Sequence, residues 1–384
     1  WRGSRLLHAR PAAMDAAKVA GCFRDRTILV TGSTGFLGKL LVEKILRVQP
    51  GVKRLYLLVR APDDAAAEQR VLHEVVGKEL FGVLREKHGD GFRSFIKEKI
   101  SPLAGDMTHE NLGVESTRAK QLFQEIDVIV NGAAITNFYE RYDVALASNT
   151  FGTIHACKFA KQCSHLKLFL HVSTAYVAGC KQKGRIPEKP LHMGQALKKG
   201  RCIDIDAELQ LANEAKAKFV MAPSDTDTSH KPLEKVVMKE LGLKRAKYFG
   251  WPNVYSFTKA MGEMVLGTMR GDLPIVIVRP SIVLYLANYL LLCGRFTECH
   301  KKLNRSLNYL MVVAKLYAPY IFFKGCFDDT NLRMLWETTG AVGHGDGYMF
   351  NFDPNSINWR SYLYNTHIPA VLKVAGQMKK EDRT

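Results

Sequence analysis

The sequence predicts an α/β fold: a doubly wound, mainly parallel sheet with a helical insert and a small helical C-terminal lobe. Three observations predict it. The apolar run Ile28-Leu29-Val30 leads into Gly32-Ser33-Thr34-Gly35-Phe36-Leu37-Gly38. Leu40, Leu41, Ile45 and Leu46 follow at helical spacing, so the glycine turn joins a strand to a helix. Further short runs, at 55–59, 100–106, 126–130, 168–172 and 273–283, alternate with helical stretches, the pattern of a buried parallel sheet. A lysine- and arginine-rich segment, 179–249, interrupts that alternation and carries an amphipathic helix over 205–219. It reads as a solvated helical lobe or as part of a substrate lid.

The chain has 384 residues, of which 47% are hydrophobic and 24% charged, enough for one large domain and a smaller one. We place the boundaries at 14–283 and 284–384. Residues 1–13 precede the first methionine, Met14; they read as upstream sequence, with a basic transit fragment as the other reading. The net charge of +18 suits anionic ligands or an anionic membrane face. No motif for nucleic acid accompanies it. The eight cysteines form no C-x-x-C pair, so neither a zinc site nor a disulfide framework is indicated.

The glycine turn is the Rossmann signature for a dinucleotide. Gly32 permits the tight turn, Gly35 lets backbone approach a pyrophosphate, and Gly38 lets helix and strand pack closely. The helix N-terminus offers free N–H groups to the anion. Ser33, Thr34, Phe36 and Leu37 complete the cradle. Arg60 ends the second apolar run, ~20 residues past the glycines, where an NAD site would place an acid. Arginine there suits the 2′-phosphate of NADPH. Asp106, after the third run, either reaches the adenine or holds a turn. Asn131 and Ala133 end the fourth run, where small residues let a cofactor lie against the strand end. Asn149 opens a helix, as a cofactor contact or as a cap. Pro280 lies in the turn after the last run, beside the expected nicotinamide.

The chemistry centres on Asn253-Val-Tyr255-Ser-Phe-Thr-Lys259. Tyr255 and Lys259, four apart, share one helix face. A tyrosine that gives a proton to a carbonyl oxygen needs its phenolate stabilised, and a lysine one turn away does so. The fifth run ends in Ser173-Thr174, at the sheet edge where ligands of such folds bind; either hydroxyl could hold the carbonyl. His171, inside that run, reads as a packed core residue.

The motifs TGSTGFLG, VNGAA, VSTAYV, YSFTKAMGE and VIVRPSIV together resemble the extended short-chain dehydrogenases/reductases. The long spacer between Ser173 and Tyr255, with KLNRSLNYLMVVAKLYAPYIFFKGCFDDTN and FNFDPNSINWRSYLYNTHIPAVLK, narrows the resemblance to the plant alcohol-forming fatty acyl-CoA reductases of the male-sterility type. The resemblance implies reduction of a long-chain acyl-CoA to a primary alcohol through an aldehyde, with NADPH as cofactor. It casts Tyr255 as proton donor, Lys259 as its partner and Ser173 or Thr174 as carbonyl holder, with no metal.

One departure stands out. After Val283 the sequence passes at once into the C-terminal lobe, and an internal family segment is missing. Two other readings therefore stay open: another extended reductase or epimerase, and an inactive, NADPH-binding form that assembles with full-length reductase. A homo-oligomer is the other assembly considered. The apolar stretch 310–323 is broken by Lys315 and Pro319, so it reads as a buried helix or a peripheral membrane attachment rather than a span. The expected location is the endoplasmic reticulum surface or the cytoplasm, ahead of the plastid.

Overall fold

Thr27–Thr31 is β1, buried at every position, and the glycine turn separates it from α1, Phe36–Val48. In this computed structural model the described residues are 21–220, 230–281, 315, 317–320, 322–338 and 356–369. The terminal segment 1–13, the loop 221–229, the junction after Val283 and half of the apolar stretch 310–323 lie outside them.

From β1 the chain alternates between strand and helix. β2 is Arg54–Val59, followed by α2 (Asp64–Val71), α3 (Gly82–His88) and α4 (Phe92–Lys99). β3 is Ile100–Ala104, α5 Ser116–Glu125 and β4 Val128–Asn131. The short α6 (Tyr142–Ala145) and α7 (Gly152–Gln162) lead to β5, Leu168–Val172. β6 (Gly184–Ile186) opens the insert, whose helices are α8 (Ile205–Val220) and α9 (His230–Phe249). Then come α10 (Val254–Met269) and β7, Ile275–Val278. β8 (Gly325–Phe327), α11 (Thr330–Thr338) and α12 (Trp359–Tyr362) follow.

Six strands form one sheet in the order β3-β2-β1-β4-β5-β7, all neighbours parallel. The order reverses between β1 and β4, and ligands of such sheets bind at the carboxyl ends of the strands there. Alternate residues of β1 to β5 enter opposite cores. Leu29, Tyr56, Leu103, Ile129 and Phe169 face Leu122 of α5 and Phe159 of α7. Ile28, Val30, Leu55, Leu57 and Val130 face Val42 and Leu46 of α1 and Leu84 of α3. Both faces of β1, β2 and β4 are covered in this way, which is why they read as continuous apolar runs, whereas Val276 and Val278 of β7 are exposed among the described residues. This is a doubly wound Rossmann-type α/β fold.

The insert builds a third core. Ala212 of α8, Met238 and Phe249 of α9, and Trp251 pack with Tyr142, Val254 and Phe257. A polar latch crosses it: Glu208 of α8, 3% exposed, accepts a bond from the Tyr142 hydroxyl at 2.6 Å and one from Arg245 Nε at 2.9 Å.

Among the described residues, 21–179 and 188–280 form one compact unit. Residues 180–187 join those after 280 in a second. The second unit contains a two-stranded parallel pair, β6 with β8, that the sequence pattern does not reveal. Three-residue strands carry too little periodicity to register. No helix of the described residues is long and apolar enough to cross a membrane.

Candidate active site

The glycine turn is tight because a side chain has no room in it. Gly32 has φ +73, and a Cβ there would lie 2.6 Å from the Ala133 backbone nitrogen. A Cβ on Gly38 would lie 2.2 Å from the Gly32 carbonyl oxygen, so α1 closes directly onto the turn. Gly35 is the N-cap of α1 and supplies no side-chain cap, so free N–H groups of the first turn point out of the helix. Thr34 is half-buried, while Phe36 and Leu37 are 61% and 50% exposed beside that end. Ser33 is fully buried, and its Oγ has no protein partner. A backbone cradle, an uncapped helix terminus and an orphaned hydroxyl at the sheet's switch point fit a dinucleotide pyrophosphate.

The other expected contacts fall into two groups. Arg60 follows β2, is exposed, and its guanidinium has no partner among the described residues. Ala133 and Pro280 lie half-buried at the ends of β4 and β7. By contrast, the Asn131 side chain is fully buried and spent on protein: its Oδ1 accepts from Thr31 Oγ1 and its Nδ2 lies 3.1 Å from His171 Nδ1. Asn149 is neither an open contact nor a cap. It is 1% exposed, bonds both backbone groups of Ile135 and donates to Thr258 Oγ1, so it ties the loop after β4 to α10. Asp106 Oδ1 accepts from the backbone and hydroxyl of Thr108, the geometry of a turn aspartate.

Tyr255 and Lys259 both lie on α10, which starts where the Asn253 side chain caps the Ser256 N–H at 2.9 Å. Tyr255 is partly exposed and stacks on Phe138, ring centroids 5.9 Å apart. Lys259 is 1% exposed, and its Nζ lies 3.2 Å from His171 Nε2. Burial lowers its pKa to about 8, with the Glu263 carboxylate pulling the other way. Glu263 is itself held by Arg279 at the end of β7, Nε to Oε1 at 3.0 Å.

Ser173 and Thr174 are each 3% exposed at the end of β5. The Thr174 hydroxyl makes two long bonds of 3.4 Å, donating to the Pro280 carbonyl and accepting from the Tyr176 N–H. Ser173 Oγ has no protein partner. His171 is buried as its apolar neighbours suggested, but it also binds Lys259. The missed signal was a polar residue in register with Asn131 on the next strand.

Two family models match the chain, both described as male sterility protein, one over residues 30–322 and the other over 280–375. An alcohol-forming fatty acyl-CoA reductase of Simmondsia chinensis is 34% identical over 484 positions, covering 91% of this chain and 97% of that protein. A probable fatty acyl-CoA reductase 4 of Arabidopsis thaliana is 49% identical over 485 positions, with the same coverage of each. Among solved structures, the reductase domain of a Mycobacterium tuberculosis nonribosomal peptide synthetase superposes with a TM-score of 0.39 at 25% identity, over 67% of this chain and 48% of that one. The terminal R domain of the myxalamid pathway gives 0.43 at 22%, over 68% and 50%. By the extent of the model matches and the identity to the plant proteins, the chain belongs to the male-sterility family of fatty acyl-CoA reductases.

Proposed function

We propose that the chain is an NADPH-dependent, alcohol-forming reductase of long-chain fatty acyl-CoA. The observation that carries the reading is Lys259, 1% exposed and one helical turn from Tyr255 on α10. The relatives' names supply the substrate class.

The cradle at Gly32–Gly38 would hold NADPH, with Arg60 placed to meet its 2′-phosphate, and the cofactor would supply one hydride to the carbonyl carbon in each of two reductions. The chain's residues handle the oxygen and its proton. The Ser173 or Thr174 hydroxyl holds the thioester carbonyl oxygen. As negative charge develops there, the Tyr255 hydroxyl gives up its proton to it. The Lys259 ammonium stabilises the tyrosinate left behind, and the low dielectric around it strengthens that effect. As the hemithioacetal breaks its C–S bond, the tyrosinate takes back the hydroxyl proton, coenzyme A leaves as its thiolate, and an aldehyde remains beside a protonated Tyr255. The aldehyde oxygen takes a second proton from Tyr255 to give the primary alcohol.

The test is NADPH oxidation by the purified chain with palmitoyl-CoA and with hexadecanal, products identified by chromatography, beside Tyr255→Phe. The expected result is hexadecanol from both substrates, reduced by roughly 10²–10⁴ in the folded variant, the usual worth of a positioned proton donor. Alcohol formation that survives Tyr255→Phe would refute the assignment. The rival reading, an inactive NADPH-binding form, rests on the missing internal segment and predicts cofactor binding with no alcohol at all.

A further inference from the structure

Three neighbouring strands of the large sheet carry a polar residue in the same row. Thr31 pairs in register with Asn131, and Asn131 with His171. Each is at most 1% exposed, and the row continues to Lys259 on α10. Burying four polar side chains is costly unless they are bonded, and these bond one another. Thr31 Oγ1 meets Asn131 Oδ1 at 3.1 Å, Asn131 Nδ2 meets His171 Nδ1 at 3.1 Å, and His171 Nε2 meets Lys259 Nζ at 3.2 Å. At the far end the N–H groups of Gly132 and Ala133 both donate to Thr31 Oγ1, at 3.1 Å each.

The donors and acceptors set the row's polarity. The two backbone N–H groups fill the lone pairs of Thr31 Oγ1, so its hydroxyl proton goes to Asn131 Oδ1. The amide Nδ2–H then faces His171 Nδ1, which must accept. A neutral imidazole accepting at Nδ1 carries its proton on Nε2. That Nε2–H needs a lone pair on Nζ, which is Lys259 as the amine. When Lys259 is the ammonium, Nζ donates to Nε2, the ring proton sits on Nδ1, and the Asn131 amide must turn to accept it, which brings its Nδ2–H against Thr31 Oγ1 and displaces one of the two backbone N–H groups bonded there. The row has two settings, separated by one proton on Lys259. His171 stays neutral in both, because burial and the charge of Lys259 hold its pKa well below the usual value. Burial also brings Lys259 to about 8, so both settings lie within ordinary pH. Glu263, one turn further along α10 and clamped by Arg279 from the end of β7, favours the ammonium.

We propose that His171 is a positioning residue for Lys259: its neutral ring switches tautomer with the lysine's proton and links that proton to the Gly132–Ala133 backbone at the end of β4. The kinetic half of the proposal rests on Lys259 being the partner of Tyr255; the spectroscopic half does not.

The experiment reads the His171 ring by long-range 1H–15N NMR in 15N-histidine-labelled protein, from about pH 6.5 to 9.5, with His171→Gln assigning the signal. The expected result is a neutral ring whose proton moves from Nδ1 to Nε2 with a midpoint at about 8, and no such movement in Lys259→Met. A tautomer constant over that range, or a transition that persists in Lys259→Met, would overturn the proposal. In kinetics, His171→Phe removes the acceptor of the ammonium setting, the stronger, charge-assisted bond. The alkaline limb of kcat/KM should therefore move to lower pH. His171→Gln, whose side-chain oxygen accepts at the same reach, should restore it. A His171→Phe profile that superimposes on the parent's would count equally against the idea. A chain that turns over no acyl-CoA would sink the functional reading, while the NMR result would still decide this one.

Discussion

Arg60 places the cofactor question on one side chain. It follows the last residue of β2, stands exposed, and its guanidinium bonds no described residue. Arg60→Ala should weaken NADPH binding by about ten- to a hundredfold, the worth of a hydrogen bond to a charged group, and leave NADH binding almost unchanged. Fluorescence titration with both cofactors separates the cases, and equal losses would show that Arg60 does not read the 2′-phosphate. Residues of this kind were legible because their meaning depends on local spacing. Tyr255 and Lys259, four apart, had to share a face once the stretch was helical, and α10 places them so. The burial of His171 was legible from its apolar run, but the partners of Asn131, Asn149 and His171 were not. Each looks like a polar residue near a strand end or helix start, and what it binds depends on strand register and on α10, more than a hundred positions away for Asn149 and Thr258. Register is a property of the assembled sheet, so no local pattern carries it.

At the scale of elements, the fit of α1 against β1 depends on Gly38. A Cβ there would meet the Gly32 carbonyl oxygen at 2.2 Å and the Ser33 Cα at 2.8 Å, both backbone, so no side chain can swing away. Gly38→Ala must therefore push α1 off the turn, costing about 1–3 kcal/mol in overpacking and spoiling the cradle. Gly82→Ala, at the start of α3, is the control: a Cβ there meets nothing within 4 Å, and alanine is the better helix former. The expected outcome is a lower Tm and lost NADPH binding for Gly38→Ala and neither for Gly82→Ala; parallel behaviour of the two would remove the steric argument. The large sheet was readable for the same physical reason that makes Gly38 sensitive. Strands covered on both faces must be continuously apolar and must be joined by tight turns. The β6–β8 pair lacks both features, with Gly184 and Gly325 opening two three-residue strands, and nothing in the sequence marks them as partners.

The whole molecule poses the last question, because the reductase half and the substrate half need not be equally complete. The aligned plant relatives run over 484 positions at 97% of their own length, and a chain of 384 residues leaves at least 100 of those positions opposite gaps. The cradle, Tyr255, Lys259 and the Ser173-Thr174 strand end all lie within the sheet-bearing unit and depend on its own cores. Cofactor binding should therefore match that of a full-length relative to within a fewfold. Placing a thioester carbonyl beside Tyr255 is a stricter demand: a misplacement of about 1 Å costs on the order of a hundredfold in rate. We place the gap after Val283 in the sequence, where lost family residues would bear on the acyl-chain channel and on the rim of the nicotinamide pocket. The prediction is similar NADPH dissociation constants for this chain and a full-length plant reductase, with fatty alcohol formation slower here by on the order of a hundredfold. Grafting the relative's intervening segment after Val283 should recover much of that rate. Equal turnover by the two chains would mean that the segment is dispensable and that the residues up to 281 position the acyl chain unaided. Weak NADPH binding here, restored by the graft, would show instead that the segment supports the cradle, and the two halves could no longer be treated as separable.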